Sequence, residues 1–166
     1  DIDRAKKSEQ QLTTRASFDA LTELYNRETI ESQIDNEITL SEARKSEMAV
    51  LFIDVDDFKH YNDQYSHATG DQVLKFVART IKGTVNEFGF AGRYGGDEFI
   101  ACIRNAEIND PTRATQDIIS KLEEGFECDG VHLTVSVSIG ISMIKDDYNT
   151  RVEYIIGKAD DAMYSV

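Results

Sequence analysis

Apolar residues recur along the chain with two periods, and each change of period marks an element. From Phe18 to about Arg44 they fall at Leu21, Leu24, Ile30, Ile34 and Ile38, with Thr22, Asn26 and Arg27 as punctuation. That spacing predicts one or two amphipathic helices. Met48 to Val55 is a continuous apolar run closing on Asp54-Val55-Asp56, which predicts a central strand buried on both faces. After a polar segment, Gly70-Asp71 opens a predicted helix with a stripe of Leu74, Val77, Ile81 and Val85. Phe90 to Tyr94 and Phe99 to Ile103 flank Gly95-Gly96. Two strands about a two-residue diglycine loop predict a hairpin, because glycine accepts the positive φ such turns demand.

Pro111 fits the first turn of a helix running to about Phe126. Val131, Leu133, Val135, Val137 and Ile139 alternate with polar residues, the pattern of one half-buried strand. A last helix begins near Asn149 or Thr150 and continues to Val166. Residues 1–15, charged and without Gly or Pro, read as a helix that needs a partner, as one side of a coiled coil, or as a frayed end. No internal repeat is present. The order is helix, strand, helix, hairpin, helix, strand, helix. It predicts one α/β sandwich built on a largely antiparallel sheet.

The length of 166 residues suits one domain with a core of its own. No apolar run approaches the roughly 20 residues that cross a bilayer, and the charged, polar opening is unlike a secretory leader. The formal net charge of -13 argues against a protein that grips the nucleic-acid backbone, which needs a basic face. Most of the 31 acids serve solubility, but a carboxylate-rich site binds polyphosphate when cations lie between. Cys102 and Cys128 form no CxxC pair and have no His at zinc spacing. They read as reduced, mostly buried thiols of a cytosolic protein.

Two acidic clusters stand at predicted strand ends: Asp54 with Asp56, and Asp97 with Glu98. Alternation along a strand puts Asp54 and Asp56 on one face. If the hairpin lies beside the first strand, Asp97 approaches Asp54, and converging carboxylates repel unless a cation separates them. Mg²⁺ is the expected ion, because it prefers oxygen ligands and keeps room for phosphates. Each acid taken singly reads as a solvated turn residue. The diglycine also lets a phosphate or base approach the backbone closely.

The run Arg93-Tyr94-Gly95-Gly96-Asp97-Glu98-Phe99 resembles the signature of the GGDEF family of diguanylate cyclases, and other blocks extend the likeness. Asp54 to Asp71 resembles the family's second block. Asp19, Leu21, Thr22, Leu24, Asn26 and Arg27 resemble its helical entry motif. Ser138-Ile139-Gly140 is similar to its strand motif, and Ala159-Asp160 with Ala162-Met163-Tyr164 to its last helix. The resemblance covers about residues 17–166, leaving 1–16 as a linker or stalk helix. It implies a nucleotidyl-cyclase-like α+β sandwich: a mostly antiparallel five-stranded sheet flanked by helices, with an N-terminal signalling helix.

By the same resemblance, Asp54, Asp97 and the Val55 carbonyl would hold Mg²⁺ (or Mn²⁺). Glu98 would act as general base or second metal ligand, and Lys59 would lie near the phosphates. Asn62 and Asp71 would read the guanine edge, with Phe58 and His67 lining the substrate site and Gly95 and Gly96 beside the nucleotide. Asp accepts from guanine N1–H and N2–H₂, a pair adenine lacks. Read alone, Asp71 serves equally as a helix cap, Asn62 and His67 as loop residues and Lys59 as a surface lysine. The implied reaction joins two GTP into cyclic di-GMP across a head-to-head homodimer. The opening segment resembles the linker below a PAS-type sensor. That implies a longer, cytoplasmically disposed signalling protein, with no nucleic-acid partner and no membrane contact from this domain.

Several positions depart from the family pattern. Asn86 and Gly89 replace the Arg and Asp of the product-inhibition site, so inhibition through that primary site is not expected. Ser66 and Glu23 replace usual glycines, and a positive φ would strain Ser66. Val166 falls just before a family lysine that meets the phosphates; a true end there would weaken GTP binding. The rival readings are a catalytically weak or inactive GTP-binding regulatory domain, an interaction module acting through its stalk helix, and a cyclase making another cyclic dinucleotide.

Overall fold

The computed structural model describes residues 2–164, without the side chains of 9–15 and 164; Ser165 and Val166, to which the last helix was expected to continue, lie outside them. Six helices and six strands follow in chain order among the described residues. These are α1 (Ile2–Ser17), α2 (Arg27–Arg44), β1 (Met48–Val55), α3 (Phe58–Gln64), α4 (His67–Val85), β2 (Gly89–Arg93), β3 (Glu98–Arg104), α5 (Pro111–Glu124), β4 (Phe126–Cys128), β5 (Val131–Leu133), β6 (Val137–Ile144) and α6 (Val152–Tyr164).

The main sheet has the order β2-β3-β1-β6, and all its pairings are antiparallel. It holds four full strands rather than the expected five. Tyr25 adds one parallel bridge along the outer edge of β2. β1 is central and alternates its apolar side chains between two cores, which is why its sequence reads as continuously apolar. Ala49, Leu51, Ile53 and Val55 pack with Val73, Val77 and Ile81 of α4 and Ile118 and Leu122 of α5. Met48, Val50 and Phe52 pack with Ile30, Ile34 and Ile38 of α2 and Ile155 and Ala159 of α6. Full burial of each such side chain contributes about 1.5–3 kcal/mol.

Four boundaries differ from the sequence reading, each for a local reason. Residues 18–26 are not helical: they form a turn in which Phe18 pairs with Tyr25, and Asn26 caps α2 by accepting from the Thr29 N–H. The expected strand over 131–139 is two strands in two sheets. Asp129 and Gly130, at φ 49° and 80°, fold 126–133 into a small β4-β5 ribbon. Val135 then turns its N–H to the Leu122 carbonyl, so the alternation of buried side chains outlasts the strand. The polar stretch before Gly70 contains α3, and α4 begins at His67 because Ser66 caps it through Thr69. The diglycine loop is four residues, Tyr94–Asp97, and positive-φ glycines occur at Gly125 and Gly130 rather than at Gly95 or Gly96.

Ser66 is extended at φ -177° and therefore unstrained, whereas Glu23 sits at φ 64°, a left-handed conformation that suits glycine. Cys102 is buried and Cys128 half-buried, and both are free thiols. No helix among the described residues is long and apolar enough to cross a membrane.

Candidate active site

The strand ends dictate which acids meet. β1 and β3 are neighbours, and their register sets Asp54 directly opposite Glu98. On its other side Asp54 lies opposite Ser138 of β6. Directly opposed residues share a face, so the Asp54 and Glu98 carboxylates project to the same side, the one covered by α2 and α6. Asp97 sits one residue earlier, in the loop, where its carbonyl accepts from the Val55 N–H at 3.1 Å. Burial, then the charges of Asp97, Glu98, Asp56 and Asp160, push the Asp54 carboxyl up to about 6. Burial, then Asp97 and Asp160, push Glu98 up as well.

Asp56 has a separate task. It lies past the end of β1, in the turn, and its two oxygens accept from the Ser136 and Ser138 hydroxyls at 2.6 Å each. Its carboxylate is thereby fixed by the segment that leads into β6, close enough for its charge to help raise Asp54.

Beside these strand ends opens a cleft of about 370 Å³ lined by Phe58, Lys59, Asn62, His67, Asp71, Leu74, Arg93, Gly96 and Asp97. That volume suits a mononucleotide-sized ligand. Seven of the residues singled out in the sequence thus share one cleft, and Asp97 joins it to the Asp54 cluster. Asp54, Val55, Glu98 and Gly95 are not among its walls. Gly95 lies against Glu98 instead: a Cβ there would come within 2.9 Å of the Glu98 Oε2.

Helices α3 and α4 carry the far wall of the cleft. They lie so close that a Cβ on Gly70 would collide with the Asn62 amide and meet the Phe58 ring. The bare Gly70 backbone is therefore what lets Asn62 lie along α4, one residue from Asp71. Asp71 does not cap its helix, since Ser66 does. It is exposed, in the second turn, and faces the cleft.

Among the described residues, no group of three or more His, Cys, Asp or Glu side chains is placed to hold a metal ion. The acids that crowd Asp54 offer only oxygen donors, the type a hard ion takes. Mg²⁺ keeps several water or phosphate ligands and needs only one or two protein carboxylates. A cation would also relieve the crowding that raises Asp54.

Two residues of the cluster had no role in the sequence reading. Arg93 lines the cleft and donates from Nη2 to the Gly96 carbonyl at 2.8 Å; its place two residues before Gly95 was the available signal. Asp160 reaches the acids because Gly140 lets α6 press onto β6, where a Cβ would run into the Ala159 carbonyl. Its signal was the Ala159-Asp160 pair in the last helix.

An antiparallel sheet sandwiched between helices, with acids at the end of its central strand and a nucleotide-sized cleft beside them, defines a nucleotidyl-cyclase-like domain. More narrowly, the chain belongs to the GGDEF diguanylate cyclase family, whose model, described as "Diguanylate cyclase, GGDEF domain", matches residues 16–166. It is 35% identical over 151 residues to the diguanylate cyclase DosC of Escherichia coli K12, covering 89% of this chain and 32% of that protein. A sensory box/GGDEF family protein of Caulobacter crescentus superposes with a TM-score of 0.81 at 33% identity, over 90% of this chain and 97% of the other. The coiled coil and GGDEF domain of DgcB from the same species, solved with c-di-GMP, superposes at 0.89 and 24% identity, over 99% and 87%; at that identity the likeness is one of fold. The chain spans between a fifth and a third of the length of its curated relatives.

Proposed function

We propose that residues 17–166 are a diguanylate cyclase domain condensing two GTP into cyclic di-GMP, and that residues 1–16 are its stalk. The observation that carries this reading is the shared cleft of Lys59, Asn62, His67, Asp71 and Asp97, abutting the Asp54–Glu98 pair. The names of curated relatives add to it.

Asp71 accepts from guanine N1–H and N2–H₂, and Asn62 donates and accepts beside it. Phe58 and His67 flank the bound nucleotide, Lys59 approaches its phosphates, and the open Gly96 and nearby Gly95 leave room for it. Asp54, Asp97 and the Val55 carbonyl hold Mg²⁺, and Mn²⁺ would satisfy the same oxygens. The bound ion supplies charge neutralisation at the reacting phosphate. Glu98, its carboxyl pushed upward by burial and like charge, accepts the proton of the attacking 3′-hydroxyl. The 3′-oxygen bonds to the α-phosphorus of the second GTP while the bond to the β-phosphate breaks and pyrophosphate leaves. A second round in the opposite sense closes the ring.

One domain offers one guanine cleft, so the reaction needs two domains facing each other in a twofold homodimer. Helix α1, with Ile2 to Ser8 exposed, is the element through which an upstream sensor, of PAS type by resemblance, would set that pairing. The domain works in the cytoplasm, without nucleic acid or direct membrane contact.

Incubating the chain with GTP and Mg²⁺ and separating the products tests the proposal. Cyclic di-GMP is expected from wild type, with a loss of at least ~100-fold in Glu98→Gln and no product in Asp54→Ala. GTP binding without turnover in wild type would refute the cyclase and favour a regulatory GTP-binding domain. A mixed dinucleotide from GTP plus ATP would refute guanine selection by Asp71.

A further inference from the structure

Helix α3 brings Phe58, Lys59 and Asn62 to the cleft, yet little within the helix fixes its position. It is seven residues long, and none of them is fully buried. It starts at Asp57, which makes no side-chain capping bond and sits at a left-handed φ of 55°. A helix this short does not sustain itself in water. Its tilt and rotation are therefore set by what its neighbours grip.

Two side chains offer that grip. Phe58 and Tyr61 pack half-buried against the core that holds β1 and α4. Tyr61 also donates its hydroxyl to the Thr134 carbonyl at 2.8 Å, the one side-chain hydrogen bond from α3 to another element among the described residues. Burial, then Tyr65 and the charges of Asp56 and Asp57, push its phenol upward, so it stays protonated and donates. The acceptor is itself fixed. Leu133 and Val135 on either side of it are buried, and the Val135 N–H donates to the Leu122 carbonyl of α5 at 3.0 Å. Two residues on, the Ser136 carbonyl accepts from the Asp56 N–H at 2.9 Å. Residues 134–136 thus tie α3 and the turn after Asp54 to one pinned stretch of backbone.

We propose that Tyr61 is a positioning residue for base recognition: its hydroxyl, held by the Thr134 carbonyl, fixes α3 so that Asn62 lies beside Asp71. The choice of guanine as ligand rests on the cyclase reading above; the tether does not. A buried phenol commonly finds some partner, so the bond matters only through its leverage. Tyr61 precedes Asn62 by one residue, and the Asn62 amide lies against the bare Gly70 backbone with no slack. Asp71 rides on α4, which Ser66 caps and eight buried residues anchor. Loss of the tether therefore shifts Asn62 while Asp71 stays. Thr134 is exposed, so water takes up its freed carbonyl and Tyr61→Phe, which keeps the ring, leaves the fold intact.

The test compares wild type, Tyr61→Phe, Asn62→Ala and the double variant as the full chain, by calorimetric titration with GTP and Mg²⁺, hydrogen exchange and steady-state kinetics. Tyr61→Phe should weaken GTP binding about 5- to 10-fold and raise KM to match, with kcat changed less than about threefold, the signature of lost ground-state binding. On Asn62→Ala the same change should cost less than about twofold, because the residue it positions is gone. The Tyr65 amide, which donates to the Tyr61 carbonyl at 3.1 Å, should exchange at least ~5-fold faster in Tyr61→Phe relative to the β1 amides. GTP affinity equal to wild type in Tyr61→Phe would overturn the assignment. So would a loss that adds in full on Asn62→Ala, or faster exchange spread evenly over the domain. A wild type that binds no GTP overturns the cyclase reading instead, while the exchange at Tyr65 still decides the tether.

Discussion

The crowding of Asp54 makes a quantitative prediction for Asp54→Asn in metal-free protein. Burial and four neighbouring acids raise the Asp54 carboxyl from 3.8 to about 6, so the folded state holds its proton more tightly than the unfolded chain. Stability from this group is complete below the unfolded value and is lost as pH rises through about 6. The full difference corresponds to about 3 kcal/mol. Asp54 is only partly buried, and solvent screening reduces this to about 1–1.5 kcal/mol. For a domain of this size that is about 3–5 °C in melting temperature. Asn keeps the shape and cannot ionise. Thermal melts in chelator should therefore show Asp54→Asn gaining on wild type, from little difference near about pH 4 to about 3–5 °C at about pH 8. Adding Mg²⁺ at pH 8 should raise wild type and leave the variant unmoved. A difference that stays flat with pH, or a variant that melts lower at pH 8, would refute the electrostatic argument.

Three further outcomes follow from local geometry. Gly70→Ala should drive the Asn62 amide off α4 and weaken GTP binding about tenfold, or about 1.4 kcal/mol by titration calorimetry; unchanged affinity would remove Asn62 from guanine recognition. Glu23→Gly should stabilise the fold by about 0.5–1 kcal/mol in denaturant melts, because glycine relieves the φ of 64° while losing some chain entropy. Cyclic di-GMP added to the turnover assay should not inhibit through Asn86 and Gly89, and Gly89→Asp should not install inhibition, because a Cβ at Gly89 would strike the Cys102 carbonyl; product binding mapped to Asn86 would overturn this.

Much of the fold was legible in the chain because burial leaves a periodic trace. Met48 to Val55 reads as a strand between two layers since its alternate residues enter two separate cores. The stripe of α4 and the Asp110-Pro111 start of α5 are similarly local signals. The fate of 131–139 was not legible: Val135 is buried whether or not it sits in a ladder, and only the Asp129-Gly130 turn and the Leu122 carbonyl decide that it does not. The turn at 18–26 escaped for a related reason, since its apolar residues keep helical spacing while packing on β2.

The same division holds for the site. Which residue types are present was written in the chain: the acids at 54, 56, 97 and 98, the diglycine, and the Asn62, Asp71 and Lys59 group, all within short blocks whose spacing limits their reach. Their relationships were not. The register that sets Asp54 against Glu98, the serines that occupy Asp56, the approach of Asp160 and the Arg93 grip on the loop all join residues distant in sequence. Backbone hydrogen bonding between strands and close packing at Gly70 and Gly140 determine those meetings, and only the folded chain brings both partners of each contact into range.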